Sequence, residues 1–355
     1  MPGPLRCISD DIVELLRRGN GIVDLATAGR AGVGGNRLRR LADTGLLVRL
    51  APGCFASAAV LESASSWERH RLRSRAFALF SGSRTFLTGW SAAVTWQVPT
   101  VGRAPERVLA IRPAEAGHSV RHGQYGDIRV VRIPAGQACQ VQGIGLMRPG
   151  WAVADAARMG PILPALVAAD AVAAAGLDLD DAIGGMAGWP GIHRARWVAE
   201  HADPRAESPL ETLGRFACLQ FDLPLPVSNA WVGDIEPEYR VDGLWPFHGV
   251  VFEADGALKY DNRPDASRIV SRQGEREWRL RRLGLEVVRF GWDLAWRRRA
   301  ELAGRFAALL RDNPPDGRPV RWWKHVPGVG AVEPEAADWP SPGPSGVVLP
   351  AGWER

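Results

Sequence analysis

Lysine is almost absent from this chain: of its 44 basic residues only Lys259 and Lys324 are lysines, and the rest are arginines. With the abundance of Ala and Gly, this bias reads as the coding preference of a GC-rich genome, so arginine alone is weak evidence for phosphate contacts. Cysteine is scarce as well. Cys7, Cys54, Cys139 and Cys218 are scattered, with no CxxC pair and no histidine at ligand spacing, which argues against a zinc site or a disulfide framework and leaves four reduced thiols. There is no run of 18 or more apolar residues, and "MPGPLRCISDD" lacks the charged, apolar and small-residue order of a signal peptide. A cytoplasmic protein without a membrane partner is therefore expected. The glycines of "GRAGVGGN" at 29 to 36 do not make a phosphate-cradling loop, because no strand leads into them and no Lys-Ser or Lys-Thr follows.

The 355 residues suffice for two or three domains, each with its own core. The net charge of +5 is unevenly spread: residues 1 to 150 hold 20 arginines against 10 acids, and the remainder carries about −5. Such an N-terminal half suits a polyanionic partner. Residues 8 to 58 read as three short helices and a hairpin. "DDIVELLRRG" spaces Ile12, Leu15 and Leu16 helically, "VDLATAGRAG" is a second helix, "GGNRLRRLADTG" turns Leu38 and Leu41 inward and stops at Gly45, and "LLVRLAPGCFA" alternates about a Pro-Gly turn. That is the order of a winged helix-turn-helix. Its third helix would offer Asn36, Arg37, Arg39 and Arg40 to bases and phosphates of double-stranded DNA, with Arg49 on the wing. A solvated amphipathic face explains the same charge run, and the wing after it favours the recognition helix.

Residues 60 to 200 alternate helices with strands near "RVLAIR" and "IRVVRI" and end in Ala-rich helices, without a catalytic constellation. "GIVDLATAGRAGVGGNRLRRLADTGLLVRLAPGCFA", "FLTGWSAAVTWQVPTV" and "GLMRPGWAVADAARM" together resemble the AbiEi-type antitoxin and transcriptional-regulator family over roughly residues 8 to 180. The resemblance implies a DNA-binding winged helix, a second domain of helices and strands, and in some members a nucleotidyltransferase toxin as partner.

Further on, "ESPLETLGRFACLQF" opens with Ser208 as N-cap, Pro209 at the first helical position and Glu211 completing a capping box. Strands follow at "PVSNAWVG", "YRVDGLW" and "GVVFEAD", then a helix over "DASRIVSRQGEREWRLRRLG", the strand "LEVVRF" and a last helix to about residue 311. Helix, three strands, helix and strand, with acids on the middle strands, resembles the restriction-endonuclease-like PD-(D/E)xK superfamily, and "VDGLWP", "VVFEADG" and "GLEVVRF" look most like its very-short-patch-repair type. Phosphodiester hydrolysis needs a divalent metal to activate water and neutralise developing charge, and Mg²⁺ needs oxygen ligands. Asp242, at a strand end, and Glu253, on its hairpin partner, are the expected metal ligands, with Glu211 or Glu207 outside them. Asp255 stands where the superfamily has its lysine, and Lys259 is the candidate replacement. "VDG" and "ADG" are equally good turn formers, so Asp242 and Asp255 have a plain turn reading as well. Glu253, closing "VVFE", needs a partner or a metal. His248 is expected to face solvent, Gln273, Arg276 and Trp278 to approach DNA, with Trp278 equally readable as core, and the Pro/Gly-rich residues beyond 312 to be largely disordered, with Trp322 and Trp323 docking either on the body or on a partner.

The expected fold is a multidomain α/β protein: a winged helix-turn-helix over 1–58, a mixed α/β middle domain over 59–204, a restriction-endonuclease-like α/β domain over 205–312 and a tail over 313–355. The expected function is Mg²⁺-dependent cleavage of DNA phosphodiesters. The alternative is a repressor or type IV antitoxin whose nuclease-like domain is inactive, and a third reading is toxin neutralisation by protein contact.

Overall fold

The computed structural model describes residues 7–114, 119–256 and 266–354, with 266–273 by backbone alone. The chain forms two compact units, residues 1–172 with 177–201, and residues 202–355 with 173–176.

The first unit opens with helices α1 (Asp10–Arg18), α2 (Leu25–Arg30) and α3 (Gly35–Asp43), the short strand β1 (Val23–Asp24), and the hairpin β2 (Leu47–Ala51) and β3 (Cys54–Ser57). The strands form an antiparallel sheet in the order β1-β3-β2. In α1, Ile12, Leu15 and Leu16 fall on one buried face, while Asp10 and Asp11 in the first turn and Arg17 and Arg18 in the last complement the helix dipole. Asp24 caps α2 by accepting from the N–H groups of Ala26 and Thr27. Leu38 and Leu41 of α3 are fully buried against Ile12, Leu47 and Phe55. This is the expected winged-helix order.

After α4 (Ala58–Ser63) comes α5 (Ser66–Ser81), capped by Ser65. It is buried on more than one side. Leu72 and Ala76 share a core with Ile22, Ala51, Cys54 and Ala56 of the winged helix, and Phe77 and Ala78 share another with the sheet that follows. That sheet comprises β4 (Phe86–Leu87), β5 (Leu109–Pro113), β6 (Ser119–His122), β7 (Asp127–Val131), β8 (Ala138–Val141) and β9 (Ile144–Met147), in the mixed order β6-β7-β5-β4-β9-β8. Helices α6 (Gly89–Thr95), α7 (Pro149–Met159), α8 (Ile162–Ala174), α9 (Asp180–Gly185) and α10 (Ile192–Glu200) complete the region. No helix among the described residues is long and apolar enough to cross a membrane.

The second unit contains α11 (Pro209–Gln220), β10 (Val227–Val232), β11 (Tyr239–Trp245), β12 (Val250–Ala254), α12 (Ala266–Arg282), β13 (Glu286–Phe290), α13 (Arg299–Asp312), β14 (Trp322–Val326) and β15 (Gly330–Val332). Its sheet runs β13-β12-β11-β10-β14-β15, with only β12 and β13 parallel. Alternation along β12 sends Phe252 to a cluster with Trp245, Phe290 and Phe306, and Val251 to one with Leu280 of α12. Gly243 is demanded by close approach, since a Cβ there would stand 2.2 Å from the Phe252 ring.

The tail departs from expectation. Residues 322–326 form β14, which adds to β10 through Trp231 opposite Trp323 and Val232 opposite Trp322. Trp322 is 1 % exposed and packs edge-on against Trp339. The Pro/Gly composition of the segment conceals a five-residue strand whose tryptophans bury enough apolar surface to order it.

Candidate functional site

The outer side of α3 presents Asn36, Arg39 and Arg40, all exposed, and Arg49 is exposed on β2 of the wing. Arg39 donates from Nη1 to Asn36 Oδ1 at 2.7 Å, which holds these two side chains together. Arg37 does not join them. Its guanidinium reaches back to α1, pairing with Asp11 Oδ2 at 2.7 Å and donating to Ser9 Oγ at 2.6 Å, so it pins α3 to α1.

In the second unit the ladder between β11 and β12 ends at Gly243 opposite Phe252, while β11 continues along β10 to Tyr239. Asp242 therefore lies mid-strand, where β12 parts from β11, rather than at a strand end. Its Oδ2 accepts from the Ala254 N–H at 2.7 Å, a side-chain bond that replaces a lost ladder bond. Burial, reinforced by the charge of Glu253, raises the Asp242 carboxyl to about 6. Glu253 is 7 % exposed, and its Oε1 receives Arg276 Nη2 of α12 at 2.9 Å. Burial also raises its carboxyl, against the pull of Arg276. Both oxygens of Asp255 face Arg289 Nη1 at 3.2 Å. Asp242 and Glu253 thus converge, but each has a partner inside the fold.

Glu211 accepts at Oε2 from the Glu207 N–H at 2.9 Å and from Asn229 Nδ2 at 2.6 Å. It fastens the start of α11 to β10 rather than closing a capping box on Ser208, whose hydroxyl still accepts from the Glu211 N–H. Glu207 pairs with Arg240 at 2.6 Å. Lys259 lies outside the described residues, as does the side chain of Gln273. His248 is held between the carbonyls of Asn313 and Pro342 and does not simply face solvent. Trp278 is 53 % exposed, with Arg282 over its ring at 4.9 Å.

Asp242 and Glu253 each have one carboxylate oxygen engaged inside the fold, by the Ala254 N–H and by Arg276, and Asp255 is held by Arg289, whereas Mg²⁺ takes carboxylate oxygens as its ligands. Among the described residues no group of three or more His, Cys, Asp or Glu side chains could hold a metal ion. The positive charge at the cluster comes from Arg276 and Arg289. Arg289 pairs in register with Glu253 across the parallel strands, and sequence reasoning passed over it although a lone arginine in "EVVRF" mirrors the lone glutamate of "VVFEA". A second buried group was also missed: Asp155 of α7 is fully buried and bonded to Arg129, Arg158 and Thr88. Its signal was the Asp155/Arg158 pair, three residues apart in an Ala-rich helix.

Residues 10–58 form an AbiEi-type winged-helix domain: the family model described as "Transcriptional regulator, AbiEi antitoxin" matches that stretch. Among solved structures, the chain is similar to the RV2827C protein from Mycobacterium tuberculosis at 16% identity, covering 59% of this chain and 82% of that one with a TM-score of 0.29. No curated protein matches it.

Proposed function

We propose that this protein is a DNA-binding transcriptional regulator of the AbiEi antitoxin type, with a restriction-endonuclease-like second unit that does not cleave DNA. One observation carries the reading: the stretch that matches the regulator model carries Asn36, Arg39 and Arg40 exposed on its third helix, with Arg49 on the wing. Asparagine and arginine pair bidentately with adenine and guanine in the major groove, and arginine also meets phosphates. A nucleotidyltransferase toxin is the protein partner that this reading offers. For the second unit, helix, three strands, helix and strand with converging Asp242 and Glu253 support the nuclease-like architecture, while Arg276 and Arg289 supply the charge that a metal would bring.

Selection from random duplexes, followed by fluorescence anisotropy on the enriched sequence, tests the first part. The enriched duplex is expected to bind about a thousandfold or more tighter than random DNA, and equal affinity for both would refute regulation by sequence. Incubation of plasmid with Mg²⁺ or Mn²⁺ tests the second. Cleavage by the wild type but not by Glu253→Ala would overturn the inactive assignment.

A further inference from the structure

Between α6, α7 and the start of β5 the first unit holds a cavity of about 340 Å³. Trp90, Val108, Leu109, Ala156, Met159 and Pro161 give it apolar walls, and Met159 stands 56 % exposed. Gly89 lines it at φ +52°, where any Cβ would be strained and would sit 3.7 Å from Asp155 Oδ2. The charges around it already have counter-charges. Arg107 grips Asp127 at 2.6 and 2.7 Å, Arg103 pairs with Glu106 at 2.9 Å, and Asp155 is held by Arg129 and Arg158. A charged guest would give up hydration and have to displace an existing ion pair to gain a counter-charge, whereas an apolar one loses nothing by leaving water. The size and the mostly apolar lining are those of a small-molecule site.

We propose that this cavity binds a small, uncharged, mostly apolar organic molecule and that its occupancy is transmitted to the winged helix through α5. Two lining residues touch that helix. Ser91 Oγ accepts from the Leu109 N–H at 3.0 Å and shares a hydrogen bond with His70 Nε2 at 3.1 Å, and the Trp90 ring meets Trp67 edge-on at 5.3 Å. Two and six residues past His70 on α5, Leu72 and Ala76 are buried among Ile22, Ala51 and Ala56. The regulatory meaning of this link rests on the DNA-binding reading, but the site and the link do not.

Indole, an uncharged apolar ring, is the probe. Titration of the full chain by calorimetry is expected to give one saturable site with a dissociation constant near or below about 1 mM. Met159→Arg at the exposed wall and Leu109→Trp inside the cavity should each weaken it by about tenfold or more, and benzoate and benzylammonium should bind about tenfold more weakly than indole. Met159→Arg keeps the test valid if Leu109→Trp fails to fold. Absence of saturable binding, binding undiminished in Met159→Arg, or preference for either charged ring would overturn the site. Hydrogen exchange with and without indole reads the transmission: amides of α5 and β3 should exchange about twofold or more slowly when it is bound, and protection confined to α6 and α7 would overturn the link. None of these measurements uses DNA, so failure here is distinct from failure of the regulator reading.

Discussion

Burial sets the proton affinity of Asp242, and with it a pH signature for the second unit. Burial keeps the proton on the folded carboxyl up to about pH 6, against an ordinary value of 3.8. A raised acid stabilises the fold fully below the unfolded value, and that contribution is lost as pH rises through the folded one. The shift corresponds to about 2–3 kcal/mol lost between about pH 4 and 7. Asp242→Asn keeps an acceptor for the Ala254 N–H but has no charge to bury. It should raise stability at pH 8 by about 1–3 kcal/mol and flatten the pH dependence, as read by urea unfolding at pH 5 and pH 8. An unchanged slope in the variant would place the burden on another group. Gly243 gives a second prediction at this scale. The Phe252 ring leaves no room for a methyl group, so Gly243→Ala should cost about 2–3 kcal/mol by overpacking, and a variant within about half a kcal/mol of wild type would show that the ring can move aside.

At the scale of elements, α3 separates into structural and interacting arginines. Arg37→Ala should lower stability only slightly, through loss of its partly exposed pair with Asp11, and leave sequence preference in place. Replacing Asn36, Arg39 and Arg40 together should abolish that preference, and each lost phosphate contact should reduce the salt slope of binding by about one. Anisotropy at several salt concentrations distinguishes the two, and a preference that survives the triple substitution would remove α3 from the interface. Helix spacing made Leu38 and Leu41 legible as core, and with them the outer side of α3. The destination of Arg37 was not legible, because it depends on Asp11, which is 26 positions away and on another helix. For the same reason the acids of β11 and β12 stood out in sequence, while Arg289 was passed over and Arg276 was read as approaching DNA rather than as the partner of Glu253. The acids are marked by their apolar neighbours, whereas Arg276 lies in a helix already crowded with arginines.

For the whole molecule, composition misled where a few residues decide order. The stretch after residue 312 is mostly Pro, Gly and polar residues, yet "RWWKHV" gives the second unit an added strand. Removal of residues 320–355 uncovers the edge of β10 and empties the place of Trp322. The truncated chain should lose about 3–5 kcal/mol and tend to associate through the bare edge, which unfolding and sedimentation would register. Unchanged stability would mean that the hairpin is only an appendage. Periodicity and turn residues made the elements of 8–58 and of 205–311 readable in order, but of the six strands described between 86 and 147 only β5 and β7 were read, the others being two to four residues long. The join at residue 58 was not readable, because α5 shows no single apolar stripe from which its double burial could be read. That helix limits how modular the protein is. The stretch 10–58 has a family resemblance of its own, but its underside, Ile22, Ala51, Cys54 and Ala56, is finished only by Leu72 and Ala76. Transplanted alone, residues 10–58 would carry an unsealed apolar patch into water. The smallest portable piece that contains the stretch 10–58 therefore ends beyond α5, and since α5 also closes the next core, heating should melt the first unit in one calorimetric transition.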